Sequence, residues 1–314
     1  MLTFTRSRLL AGLAAAVTPS IPSLVRAQAA PVRLGVAAND TYAETIFASD
    51  GGFFERAKVD VELTMFTNSQ AMVSAVAGNA IDVGMADVIQ IGNAINRGVG
   101  LGVIASGSIY DPANPTAMLC VAKDSPLRTA RDLTGQTVAV VSLAAFGAIS
   151  VQEWLRTNGA DPKSVKLIEM PFAPMAAAVG RGTVAAALIG EPFLSGARGD
   201  VRLLADTYPA IAKSFYIAVS FASLDWVARN RDLARRFVRA TYDAGRWANT
   251  HHDDSAAILS KYAKIDVERV RAMNRAVFSL AAPDRRLMQP VLDVGLAYGF
   301  MTKSLQAPDM IAKL

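Results

Sequence analysis

Residues 72–86 read MVSAVAGNAIDVGMA, and residues 175–189 read MAAAVGRGTVAAALI. Laid over each other, Met72 falls on Met175, Ala75 on Ala178 and Val76 on Val179, and the apolar pattern agrees throughout. In the first copy Asn68 or Ser69 can cap a helix that buries Met72, Val73 and Val76 and stops at Gly78. Ile81, Val83 and Met85 then alternate as a strand, and Asp87 is placed to cap the next helix through Ile91 and Ile95. LGVAA from Leu34 likewise falls near VAVVS from Val138. A helix–strand unit that recurs at a fixed shift predicts two lobes of one plan.

The flanking sequence extends the same alternation. Strands are expected at Val32–Ala37, Val59–Phe66 and Leu101–Ser106, and Thr41-Tyr42-Ala43-Glu44 reads as a capping box opening a helix that ends at Gly51-Gly52. In the second unit, strands are expected at Thr137–Val141, Val165–Met170 and Val184–Ile189. Helices are expected up to Asn158, stopped by Gly159, and over Pro174–Gly180; Pro162 suits the first position of a short helical turn. Short β-rich runs alternating with helices predict an α/β fold with mostly parallel sheets. A further strand is expected at Phe215–Phe221. Beyond Ser223 the pattern turns helical, over Arg231–Thr250, Asp253–Ala263, Asp266–Phe278 and Arg285–Gly299. Trp226, Phe237, Tyr242 and Trp247 recur at helical spacing and predict a core stripe that packs this tail onto one lobe.

Composition narrows the chemistry. The chain has 314 residues, 52% apolar and 19% charged, too long for one core and too apolar for disorder. A single Cys, Cys120, excludes an internal disulfide, and its apolar setting predicts a buried inert thiol. The two histidines are adjacent, His251 and His252, so they cannot supply separated imidazoles to a triad or a zinc site. THHDD at 250–254 reads as a solvated helix junction with Asp253 as cap, and GVGLG at 98–102 lacks dinucleotide-site spacing. No catalytic residue, metal or cofactor is expected. Residues 1–29 carry Arg6, Arg8 and Arg26, no acid, an apolar run at Leu9–Val17, and Ala27-Gln28-Ala29. That order predicts a secretory signal peptide cleaved near Ala29–Ala30 and a periplasmic protein. Removing those three arginines leaves 29 basic residues against 27 acidic, so the formal charge falls from +5 to +2 and no nucleic-acid surface is expected.

FTNSQAMVSAVAGNAIDVGMAD, SPLRTARDLTGQTVAV and PMAAAVGRGTVAAALIGEPF together resemble periplasmic solute-binding proteins of ABC importers for nitrate, sulfonates and taurine. The same superfamily holds thiamine-pyrimidine precursor binders and synthases. The resemblance runs from Val32 to LDVGLAYGFMTK near the C-terminus. It implies a type II periplasmic binding fold, two α/β lobes joined by two crossover strands at Met118–Lys123 and Phe215–Phe221. Lobe one would be residues 30–117 with 222–314, and lobe two residues 118–221. It also implies a monomer that binds a small-molecule ligand and serves an ABC permease and ATPase. An enzyme of the pyrimidine-precursor-synthase type would, by the same resemblance, need a cysteine-rich motif and a reactive histidine that this chain lacks. A receptor for a tripartite transporter stays open.

Ligands of open α/β sheets bind beyond the carboxyl ends of strands, where helix N-termini present free N–H groups. The loops concerned are Asn39–Tyr42, Asn68–Gln70, Ala86–Asp87, Ser142–Phe146, Pro171–Pro174 and Gly190–Pro192. They nominate Asn39, Thr41, Tyr42, Asn68, Ser69, Gln70, Asp87, Ser142, Phe146, Phe172 and Glu191 as ligand-binding residues. None of these loops contains Lys, Arg or His, while Asp87 and Glu191 both lie in them. A small organic anion or zwitterion of the sulfonate or taurine type is expected, with a pyrimidine or an aromatic carboxylate as alternatives. Asp87 and Glu191 are expected on opposite lobes facing one cleft. The competing expectation is structural, with Asp87 capping its helix and Glu191 paired with an arginine such as Arg198.

Overall fold

The computed structural model describes residues 30–314; the expected leader lies outside the described residues. The chain begins with β1 (Val32–Val36), α1 (Glu44–Asp50), α2 (Phe53–Arg56), β2 (Val61–Met65) and α3 (Ser69–Ala77). There follow β3 (Val83–Ala86), α4 (Val88–Asn96), β4 (Leu101–Ser106) and the short β5 (Ser108–Ile109). A second run holds β6 (Ala117–Ala122), β7 (Thr137–Val140), α5 (Phe146–Thr157), β8 (Lys166–Glu169) and α6 (Phe172–Gly180). It continues through β9 (Ala186–Gly190), α7 (Phe193–Gly196) and β10 (Val201–Ala205). The last part comprises β11 (Val219–Ser223), α8 (Leu224–Arg229), α9 (Arg231–Ala248), α10 (His252–Ala263), α11 (Val267–Arg271), β12 (Val277–Phe278) and α12 (Arg285–Ala297).

The two large sheets share one plan. The first runs β2-β1-β3-β11-β4 and the second, read from its opposite edge, β8-β7-β9-β6-β10. In each, the first three strands are parallel and the fourth is antiparallel to both its neighbours. The fourth strand follows a crossing of the chain from one half to the other: β6 enters the second sheet, and β11 returns to the first. The repeat read from sequence corresponds to α3–β3 and α6–β9, with Met72 and Met175 both fully buried under their sheets. β9 is buried along its whole length, which suits an unbroken apolar run flanked by helices.

Long-range packing alters several local expectations. The Asp266–Phe278 helix stops at Arg271, because Arg275 forms a buried ion pair with Asp40 and the Ala276 N–H donates to Asp40 Oδ2 at 2.5 Å. An amide committed to Asp40 cannot donate along a helix, and Val277–Phe278 instead pairs with β5. The capping box also fails. Thr41 lies in a 3-10 turn, its hydroxyl donates to Asn39 Oδ1, and α1 begins only at Glu44. α10 starts at His252 with no side-chain cap, so Asp253 sits in the first turn, where it faces Arg271 at 3.6 Å. α6 starts two residues earlier than expected, since Pro174 in a first turn gives up only an N–H that would be orphaned anyway. β10 was not foreseen at all.

The helical tail packs mostly on the first sheet's side. Phe237 and Trp226 are buried there, with Tyr242 and Trp247 packed against the same cluster. α9 and α10 lie against α1, while α12 lies against α4 and also reaches α5. Cys120 is fully buried in β6, and burial pushes its thiol up to about 12.

Candidate functional site

The carboxyl ends of the strands feed helices whose first turns converge. Asn68 caps α3, accepting from the Ala71 N–H at 2.9 Å. Asp87 caps α4: its Oδ1 accepts from the Ile89 and Gln90 N–H groups at 2.9 and 3.0 Å. α5 differs, because Ala145 stands at its N-cap position and no side chain of its own segment caps it. The second oxygen of Asp87 fills that role from the other sheet, with Oδ2 accepting from the Phe146 N–H at 3.4 Å. Asp87 is 1% exposed. Burial pushes its carboxyl up to about 7, against the downward pull of the three backbone donors.

Around this contact the two halves enclose a small cavity of about 50 Å³. That is room for a few water molecules, so an organic solute fits only when the walls separate. From the first sheet's side come Asn39, Thr41, Tyr42, Asn68, Ser69 and Asp87, and from the second Ser142, Ala145, Phe146, Gly147, Phe172 and Tyr208. Among the described residues no Lys, Arg or His lines it. Tyr42 and Tyr208 are both held protonated by burial, reinforced by the charge of Asp87. Ser69 donates to the Oε1 of fully buried Gln90 at 2.6 Å, and the Gln90 Nε2 has no hydrogen-bond partner among the described residues. Phe172 reaches the cavity because Gly190 leaves room: a Cβ there would meet the ring at 3.0 Å. A larger groove, about 780 Å³, runs along α6 and α7 and shares Phe172, but it is open to solvent and flanks the strand ends rather than capping them.

Nine of the eleven nominated residues line the cavity: Asn39, Thr41, Tyr42, Asn68, Ser69, Asp87, Ser142, Phe146 and Phe172. Gln70 and Glu191 do not. Glu191 folds back on its own helix, accepting from the Ser195 N–H at 2.9 Å and the Ser195 hydroxyl at 2.8 Å. It thereby satisfies an N–H in the first turn of α7 from the residue before the Pro192 N-cap, one position beyond Gly190, on which the repeat lays Asp87. It is 3% exposed, and burial pushes it up to about 7. The expected partner Arg198 acts on it only through space, while Asp40 opposes its ionisation. Its backbone carbonyl accepts from the Asp40 N–H across the two halves at 3.2 Å. Tyr208 was missed with its strand, since the turn that carries it follows β10. Ala145, Gly147 and Ala148 were missed because they offer backbone rather than side chains.

The profile of a family described as NMT1/THI5 like matches residues 39–255. A Brucella abortus (strain 2308) protein, provisionally named a binding protein, is 23% identical over 262 residues, covering 78% of this chain and 76% of its own length. Among solved structures, the alkanesulfonate-binding protein SsuA from Xanthomonas axonopodis pv. citri, bound to MOPS, superposes with a TM-score of 0.77 at 18% identity, covering 92% of this chain and 100% of that one. The desulfurization enzyme DSZB superposes with a TM-score of 0.69 at 16% identity, covering 90% and 96%. Binding proteins and an enzyme thus share this fold.

Proposed function

This chain belongs to the NMT1/THI5-like family, and we propose that it is an exported solute-binding protein that captures a small organic anion or zwitterion between its two lobes. The observation that carries the reading is the first turn of α5. It faces the cavity with no cap from its own segment, and the Asp87 Oδ2 on the Phe146 N–H marks the place where the positive end of the helix dipole would receive a ligand's anionic oxygen. A sulfonate or carboxylate head fits that terminus, and Asp87 beside it suits an amine. The binding-protein relatives support this class of role. The lobes are read as residues 30–117 with 222–314 and 118–221, with the leader over 1–29 directing export to the periplasm. Delivery to an ABC permease and ATPase follows from the same reading.

The aromatic rim of Tyr42, Phe146, Phe172 and Tyr208 favours a second ligand class, a flat pyrimidine or aromatic carboxylate. Binding without turnover is the reading in either case. The chain's one thiol, Cys120, does not line the cavity, and burial holds it protonated.

A thermal-shift screen of amino-sulfonates, alkane and aromatic sulfonates, carboxylates and pyrimidines tests this. At one hundred times its dissociation constant a ligand adds about 2.7 kcal/mol of stability, which raises the melting temperature visibly. The expected hit is a sulfonate or amino-sulfonate recovered chemically unchanged. A panel with no shift, or conversion of the hit to a new compound, would refute the reading.

A further inference from the structure

Asp87 does more than cap α4. Only Oδ1 is used for that cap; Oδ2 reaches over to the Phe146 N–H of α5, on the other sheet's side. A carboxylate of the protein thus occupies the helix terminus that an incoming anionic oxygen needs. One helix N-terminus offers about half a positive charge, and among the described residues the cavity lining adds no Lys, Arg or His. The ionisable groups that face Asp87 are Tyr42, on the turn after β1, and Tyr208, on the turn after β10, and neither carries a positive charge. Two anionic oxygens cannot share that terminus without a compensating charge.

Building on the solute-binding reading above, we propose that Asp87 is the specificity-determining residue of the cavity: it holds the α5 terminus against plain anions and yields it to a zwitterion whose ammonium lies next to its anionic head. The ammonium of such a ligand donates to the Asp87 carboxylate while its sulfonate or carboxylate takes the Phe146 and Gly147 N–H groups. No proton needs to be taken up. A plain anion brings no cation, so it binds only as Asp87 takes a proton from solvent, which burial makes accessible near neutral pH.

Titration calorimetry with 2-aminoethanesulfonate and ethanesulfonate, at pH 6 and pH 8, reads this directly. The wild-type preference for the amino-sulfonate should grow about a hundredfold between the two pH values, about tenfold per pH unit, as expected for a difference of one linked proton. Buffers of different ionisation enthalpy should reveal uptake of a proton with ethanesulfonate at pH 8 and none with the amino-sulfonate. Asp87→Asn keeps a cap on α4, so the variant should fold, bind ethanesulfonate equally at both pH values and lose most of the preference. Both compounds binding with a pH-independent ratio, or an unchanged preference in Asp87→Asn, overturns the role of Asp87 alone. Failure of both to bind wild type and variant overturns the solute-class reading and this inference with it.

Discussion

Glu44 opens α1 with both carboxylate oxygens buried and without a hydrogen-bond partner among the described residues. It is wedged against α9, where a Cβ on Gly245 would lie 2.5 Å from Glu44 Oε1, so a side chain at 245 would push the carboxylate aside. Burial pushes the Glu44 carboxyl well above the ordinary range. Burial also raises Glu191 from 4.5, and Asp87 from 3.8, to about 7. A carboxyl raised on folding keeps a proton that the unfolded chain releases. Its stabilising contribution is complete below the unfolded value and is lost as pH rises through the folded one. Between about pH 4 and pH 7 stability should therefore fall, by up to about 1.4 kcal/mol per pH unit for each such group. Glu44→Gln removes one proton from that dependence and should flatten the slope of unfolding free energy against pH, measured by urea titration. An unchanged slope would mean that Glu44 ionises normally. The Thr41–Glu44 spacing invited a capping-box reading, and the residues allow one. Tertiary burial decided otherwise, placing Glu44 first in the helix rather than third.

α7 is gripped at both ends. The Glu191 carboxylate accepts from the Ser195 N–H in the first turn, the Glu191 carbonyl accepts from the Asp40 N–H, and Arg269 donates to the terminal Gly196 carbonyl at 2.8 Å. Asp40 is itself fixed by Arg275 and the Ala276 N–H. These contacts join the second sheet's helix to the first sheet's turn and the helical tail, so any parting of the two halves has to break them. Arg269→Ala removes one charged hydrogen bond at an exposed site. It should weaken ligand binding by up to about tenfold and enlarge the radius of gyration of the ligand-free protein in X-ray scattering, with little change in melting temperature. Unaltered affinity and scattering would show that the bond plays no part in closure. Elements with a strong local signature, such as α3 with Asn68 before it and Gly78 after it, were legible from sequence. The Arg275 segment was not, because its helical pattern is overruled by a partner more than two hundred residues away. β10 escaped for a related reason: Val201–Ala205 is an edge strand, half exposed, whose pairing with β6 is not a local property.

Across the whole molecule, the duplicated sheet order gives two sets of helix N-termini aimed at one another, and the cavity lies where they meet. This much followed from the repeat and from the loops at the strand ends, which is why nine nominated residues line it. The repeat misled at Glu191: its shift lays Asp87 on Gly190, and Glu191, one residue further on, turns its carboxylate onto Ser195 in the first turn of α7 rather than into the cavity. The contact between Asp87 and α5 was out of reach, because it joins residues from separate sheets and one partner is a backbone amide. With about 50 Å³ between the walls, the proposed capture of an organic solute calls for the lobes to part and close again over it. The most direct test is a crystal structure of the complex with the amino-sulfonate that raises the melting temperature most. The ligand should lie between the lobes, with its anionic oxygens on the Phe146 and Gly147 N–H groups and its amine on Asp87. A ligand seated in the open groove along α6, or anywhere that leaves the α5 terminus to Asp87, would contradict the account.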